Sequence, residues 1–168
     1  MKLSEGVEWG VHCVTLLAAL PAGVTLSGGS LAEFHGVPPA YLSKTLQALV
    51  RAGIISSTPG RHGGYRLART MYEITMLDMV LAVEGTEPAF RCTEIRRRGP
   101  TRVAAGAYSP RCAIASAMMR AEEAWRQELR NTTLADLLGH LGQTVPSDAA
   151  GKGLVWLQNK LAGTPWPA

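Results

Sequence analysis

Apolar residues recur every three to four positions along most of this chain, and the polar positions between them mark the faces turned to water. Val7, Val11, Val14 and Ala18 form one stripe, widened by Leu16, Leu17 and Leu20, which predicts a helix over residues 5–20 that stops before Pro21. Ser30-Leu31-Ala32-Glu33 has the spacing of a capping box and predicts a short helix ended by Gly36. Pro38 and Pro39 suit the first turn of the next helix, in which Leu42, Leu46, Leu49 and Val50 share a buried face. Tyr41, Ser43, Lys44, Gln47 and Arg51 fall mostly on its wetter face, and Gly53 ends it where φ can turn positive. Residues 54–58 and 65–67 are short strands around PGRHGG, a loop that its glycines and proline force to turn. Residues 24–26 are read as a further short strand beside them.

A short helix, a glycine turn, a second helix and a hairpin together describe a winged helix-turn-helix. The second helix of such a unit enters a DNA major groove, and the wing lies along the backbone or an adjacent minor groove. The plainer reading is a helix and hairpin that only build a small core. Downstream, Thr75-x-x-Asp78 is a second capping box opening a helix over 76–84 that stops at Gly85, with Leu77, Val80 and Leu81 in the core. Residues 113–130 lack Gly and Pro, and Met118, Ala121, Trp125 and Leu129 form a stripe that needs a surface to pack on. Glu122 and Arg126 pair on the wet side, and Thr133-x-x-Asp136 caps a last helix through Leu141. Beyond 142 only GLVWLQNKL is patterned, as a short docking helix. The fold class is therefore mainly α: a winged helix-turn-helix with a small β-hairpin wing and a long C-terminal dimerisation helix. Its divisions are a DNA reader (1–85), a sensor loop (86–112), dimerisation helices (113–141) and a tail (142–168).

The run AYLSKTLQALVRAGIISS…GRHGGYRLAR, with ITMLDMVLAVEG behind it, resembles the IscR/NsrR-type family of bacterial winged-helix transcription regulators over residues 1–140. The resemblance implies a homodimer bound to a palindromic operator in double-stranded DNA, often with an iron–sulfur cluster as sensor. On that reading Tyr41, Ser43, Lys44 and Gln47 reach bases and phosphates from the helix, and Arg61 and His62 do so from the wing.

Composition bounds the reading without fixing it. Among 168 residues, 46% are hydrophobic and 18% charged, enough for a core and against wholesale disorder. A net charge of +4 is compatible with a nucleic-acid partner but does not establish one. The charge is placed unevenly: Lys44, Arg51, Arg61, Arg66 and Arg69 cluster on the proposed reader, and the RRR run at 96–98 is read as solvated. No apolar run approaches bilayer length, and Glu5, Glu8 and His12 interrupt the N-terminal one, so the expected location is the cytoplasm with no membrane partner. GRHGG lacks the Lys-Ser/Thr of a phosphate-binding loop, and there is no dinucleotide fingerprint or serine elbow. An enzyme is not expected.

Three cysteines in a reducing compartment point to ligands, redox groups or inert core thiols rather than disulfides. Cys13, amid apolar neighbours, reads as a buried structural thiol. Cys92 and Cys112 bracket an irregular stretch broken by Gly99, Pro100, Gly106 and Pro110, and loops of that length tend to be functional. Typical cluster-bearing relatives carry three cysteines in this loop, and some place a histidine three residues beyond the last. Here no third cysteine lies between Cys92 and Cys112, and the histidine position is Ala115. Two thiolates cannot complete a [2Fe–2S] or zinc environment. Glu8 and His12, four apart on one helical face, are the best further ligands, although such a pair is ordinarily a surface contact. The set Glu8, His12, Cys92 and Cys112 resembles that of a redox-sensing family member whose [2Fe–2S] cluster uses two Cys, one His and one Glu. Trp9 and His35 are then candidate relays, each with ordinary packing as the alternative. Zinc on the same residues, or a metal-free regulator controlled by a protein or small-molecule effector, remain the rival readings.

Overall fold

In the computed structural model, residues 2–60, 63–100 and 111–161 are described. Helix α1 (Glu5–Ala18) buries Val7, Cys13, Val14, Leu16 and Leu17 against α3 (Pro39–Arg51) and α4 (Met76–Glu84). Its closeness depends on a residue with no side chain. A Cβ at Gly10 would lie 3.1 Å from Thr45 Cγ2, with Leu49 and Val83 also in reach.

Helix α2 (Gly28–His35) starts earlier than the Ser30 capping box predicts. Ser27 is the N-cap, and its Oγ accepts from the Ser30 amide at 3.0 Å. Glu33 therefore has no N-cap to return to, and it binds Lys160 Nζ at 2.7 Å instead. Gly36 ends the helix with φ 65°, as expected. Helix α3 follows from Pro38, buries Leu42, Thr45, Leu46, Ala48 and Leu49, and is released by Gly53 at φ 66°.

Strands β1 (Ile55–Thr58) and β2 (Gly64–Leu67) form an antiparallel hairpin in the register Ile55↔Leu67 to Thr58↔Gly64, within one residue of the expected limits. The expected strand at 24–26 is a single bridge, Leu26↔Tyr65, held by amide bonds of 3.1 and 2.8 Å. It crosses so near the wing that a Cβ on Gly64 would stand 2.5 Å from the Leu26 carbonyl oxygen. This contact fixes the root of the wing to the loop before α2.

Helix α4 has the expected Thr75–Asp78 box, with both reciprocal bonds made, and buries Leu77, Met79 and Val80. A one-turn 3-10 helix, Ile95–Arg97, interrupts the loop that follows. Helix α5 (Ala113–Asn131) packs on α4, and a Thr75↔Thr133 bridge ties its end to the start of α4. Helix α6 (Leu134–Thr144) has the predicted Thr133–Asp136 box and runs three residues past Leu141. Helix α7 (Ser147–Lys160) is longer than the expected docking segment. It returns to α2, where Trp156 meets Phe34 edge-on at 5.0 Å and Leu157 and Leu161 enter the main core. Among the described residues no helix is long and apolar enough to cross a membrane.

Candidate nucleic-acid interface and thiol site

The outer face of α3 is a polar surface on a rigid support. Tyr41 is 63% exposed, Lys44, Gln47 and Arg51 are exposed, and the opposite face is sealed into the core. Ser43 is half-buried and donates its hydroxyl to the Ala40 carbonyl at 2.9 Å, which leaves it only as an acceptor. Arg61 and His62 lie outside the described residues. Arg66, one of the basic cluster expected on the reader, is exposed on β2 and donates to Ser56 Oγ at 3.4 Å. Arg69, expected with the reader, is built into a brace instead. It donates to the carbonyls of Gly53 (3.2 Å) and Glu73 (3.3 Å) and pairs with Asp78 (3.5 Å), joining the end of α3 to the start of α4.

Glu8 and His12 are both exposed on α1 and line a surface groove of about 430 Å³ with Leu3, Val11 and Met76. The His12 ring lies 5.7 Å from that of His35, tilted by 54°. His35 is half-buried and its Nε2 has no hydrogen-bond partner. Burial, then the proximity of His12, hold its basicity below the ordinary histidine value, with a backbone contact to His12 opposing. The structure thus joins the proposed ligand helix to the last residue of α2. Trp9 is half-buried against the core, one residue from Glu8. Cys13 is wholly buried, and desolvation pushes its thiol up to about 12, as an inert core residue requires.

Cys92 is exposed and its Sγ points to Glu94 Oε1 at 3.9 Å. Cys112 occupies the N-cap of α5, where the amides of Ala115 and Ile114 lower its thiol pKa, Arg96 adds to the effect and Glu94 opposes it. Arg96 is not simply solvated as the RRR run implied. It folds onto Glu94 through Nε (2.7 Å) and Nη2 (3.3 Å), within electrostatic reach of both thiols. The start of this loop is pinned as well: Glu122 accepts from the Ala89 amide at 3.1 Å, and Arg126 bonds both Glu122 and the Thr86 carbonyl. The Glu122–Arg126 pair is therefore sunk between helix and loop rather than on the wet side.

Glu8 and His12 line one groove, and Cys92 and Cys112 both lie within electrostatic reach of Arg96. Among the described residues, no group of three or more His, Cys, Asp or Glu is placed to hold one metal ion. Helix α5 buries only Ala115, while Ile114 (68%), Met118 (44%) and Met119 (46%) stay exposed. Beside them Phe90, Met118, Ala121 and Trp125 line an apolar cleft of about 230 Å³.

Comparison with known proteins extends this geometry. The Rrf2 family, described as iron-dependent transcriptional regulator, matches residues 3–140. YffB of Lactococcus lactis, named as an HTH-type transcriptional regulator, is 36% identical over 140 residues, covering 82% of this chain and 86% of its own. YwgB of Bacillus subtilis, similarly named, is 29% identical over 85% of this chain and 88% of its own. Among solved structures, CymR, the global cysteine regulator of B. subtilis, superposes with a TM-score of 0.63 at 25% identity, covering 83% of this chain and 98% of that one. IscR of T. potens superposes at 0.65 and 23% identity, covering 88% and 93%.

Proposed function

Because this chain belongs to the Rrf2 family of DNA-binding transcriptional regulators, we propose that it is a redox-sensing repressor. It acts in the cytoplasm as a homodimer on a palindromic operator, under the control of a [2Fe–2S] cluster held by Glu8, His12, Cys92 and Cys112. The observation that supports the reading is the donor set itself: Glu8 and His12 are exposed on one face of α1, and exposed Cys92 and half-buried Cys112 flank the loop before α5. On this reading the four-ligand site closes between two copies, and the exposed apolar residues Ile114, Met118 and Met119 of α5 offer the surface for the second copy. Sensor and dimer become one structure.

The donor set suits the group. Cys112 sits where helix amides favour thiolate, Cys92 is accessible, and Glu8 and His12 project side by side. When bound, the cluster supplies one-electron chemistry, and histidine in place of thiolate raises its potential relative to an all-thiolate site. The rest falls to the chain. His12 offers a ring nitrogen that can hold a proton when ligation changes, and Glu8 offers a hard oxygen ligand that releases readily. His35 stands against His12 at the end of α2, one residue before the turn into α3. A displaced His12 ring therefore moves the support of the reading helix. Trp9, wedged between ligand face and core, is the second relay. At the far end Tyr41, Ser43, Lys44 and Gln47 meet the major groove, with Arg61 and His62 as further DNA contacts.

A second reading, metal-free control by a protein or small-molecule effector, draws on the likeness to CymR, a cysteine regulator by its name. Visible absorption of anaerobically purified protein separates them. The cluster reading expects bands bleached by dithionite and restored by air, lost in Cys92→Ala and Cys112→Ala but kept in Cys13→Ala. Colourless, iron-free protein after reconstitution supports the second reading.

A further inference from the structure

The turn carrying Cys92 holds a charge arrangement that the four ligands do not require. Glu94 adopts a left-handed backbone, φ 52°, uncommon for a residue with a side chain. Its carboxylate is the hub of the turn: Cys92 Sγ lies 3.9 Å away, Arg96 grips it with two nitrogens at 2.7 and 3.3 Å, and Arg97 Nε is 3.7 Å away. The Arg96 side chain is only 25% exposed, against 61% for its neighbour Arg97. Among three consecutive arginines, the structure therefore folds the first one inward. Cys112, at the N-terminus of α5, is within electrostatic reach of Arg96 and Glu94. An unpaired carboxylate beside the two cysteines would oppose any further negative charge there; the guanidinium offsets it.

We propose that Arg96, fixed by Glu94, is a positioning residue that supplies the positive field at the Cys92–Cys112 pair. The field makes the sulfur side of the site hospitable to anionic groups. Where the cluster of the preceding section is bound (this part rests on that reading), it favours the reduced, more negative form. Lysine at this position would keep most of the field; a neutral side chain would remove it.

The test uses the full-length, cluster-free protein under reducing conditions. Cysteine alkylation by anionic iodoacetate is compared with that by neutral iodoacetamide, site by site, by mass spectrometry. Both reagents attack the same thiolate, so the ratio of their rates reports the local field rather than the thiolate fraction. Arg96→Gln lowers the iodoacetate-to-iodoacetamide ratio at Cys92 on the order of threefold, Arg96→Lys preserves it, and Glu94→Gln raises it. A ratio unchanged in Arg96→Gln, or lowered in Glu94→Gln, overturns the proposal. In the cluster-loaded protein the midpoint potential falls in Arg96→Gln and stays near wild type in Arg96→Lys; equal potentials in all three overturn it as well. If the ratios shift as stated in protein that takes up no iron, the role of Arg96 stands and the cluster reading fails.

Discussion

Lys44 and Arg69 are both basic residues of the reader segment, and the structure gives them opposite work. Lys44 is exposed on the outer face of α3, whereas Arg69 is spent on the Gly53 and Glu73 carbonyls and Asp78. On the proposed reading, Lys44→Ala removes one phosphate contact per subunit and leaves the fold intact. Each phosphate contact contributes about 0.9 to the slope of log affinity against log salt, so a symmetric dimer loses about 1.8. Between about 50 and 200 mM salt, the wild-type affinity falls about tenfold further than that of the variant. Arg69→Ala breaks a half-exposed brace worth about 1 kcal/mol after solvent screening, lowering Tm by about 3 °C. Its salt slope is unchanged. Fluorescence anisotropy with a labelled operator over a salt series, beside thermal melts, measures both. An unchanged slope in Lys44→Ala, or a slope loss in Arg69→Ala without a change in Tm, refutes this division.

Three further outcomes follow from local geometry. Ser27→Ala destabilises the protein by about 1 kcal/mol, while Ser30→Ala costs only a few tenths, because the cap is Ser27; urea melts of the two variants distinguish them. Leu157→Ala, 5% exposed in the core beneath α7, costs about 2–4 kcal/mol by denaturant unfolding, and a neutral result would mean that α7 does not dock. His35 has a depressed pKa in the folded chain, so the unfolded chain takes up its proton first. Its contribution is present above about pH 6.5 and is lost as pH falls toward the folded value. Stability of His35→Gln across that range should be flatter than wild type.

The elements bounded by local chemistry were legible in the sequence. Thr75–Asp78, Gly36, Gly53 and the glycine-rich wing each act through residues a few positions apart, and α3 and α4 lie where the sequence puts them. The misplaced α2 cap shows the limit of that method. Two serines precede the same apolar run, and Gly28–Gly29 are weak helix formers, yet the helix begins with them. The packing role of Gly10 and the place where α7 docks were hidden for another reason. The partners of Gly10 are Thr45 and Val83, and those of Trp156 are Glu33 and Phe34, all distant in sequence. Arg69 and Arg96 were misjudged in the same way, since a charge pattern cannot tell a solvated arginine from one folded onto a carboxylate. The candidate ligands were recognisable by type, but how Glu8 and His12 relate in space to Cys92 and Cys112 depends on packing, and within one chain they stay apart.

The central claim, a cluster shared between two copies of the chain, is tested by complementation. One chain carries Glu8→Ala and His12→Ala and keeps its cysteines; the other carries Cys92→Ala and Cys112→Ala and keeps Glu8 and His12. Neither can hold a complete site in its own homodimer. The purified heterodimer should regain a single cluster, seen as dithionite-bleachable visible absorption at half the wild-type amplitude. A heterodimer as colourless as the two parents contradicts the account.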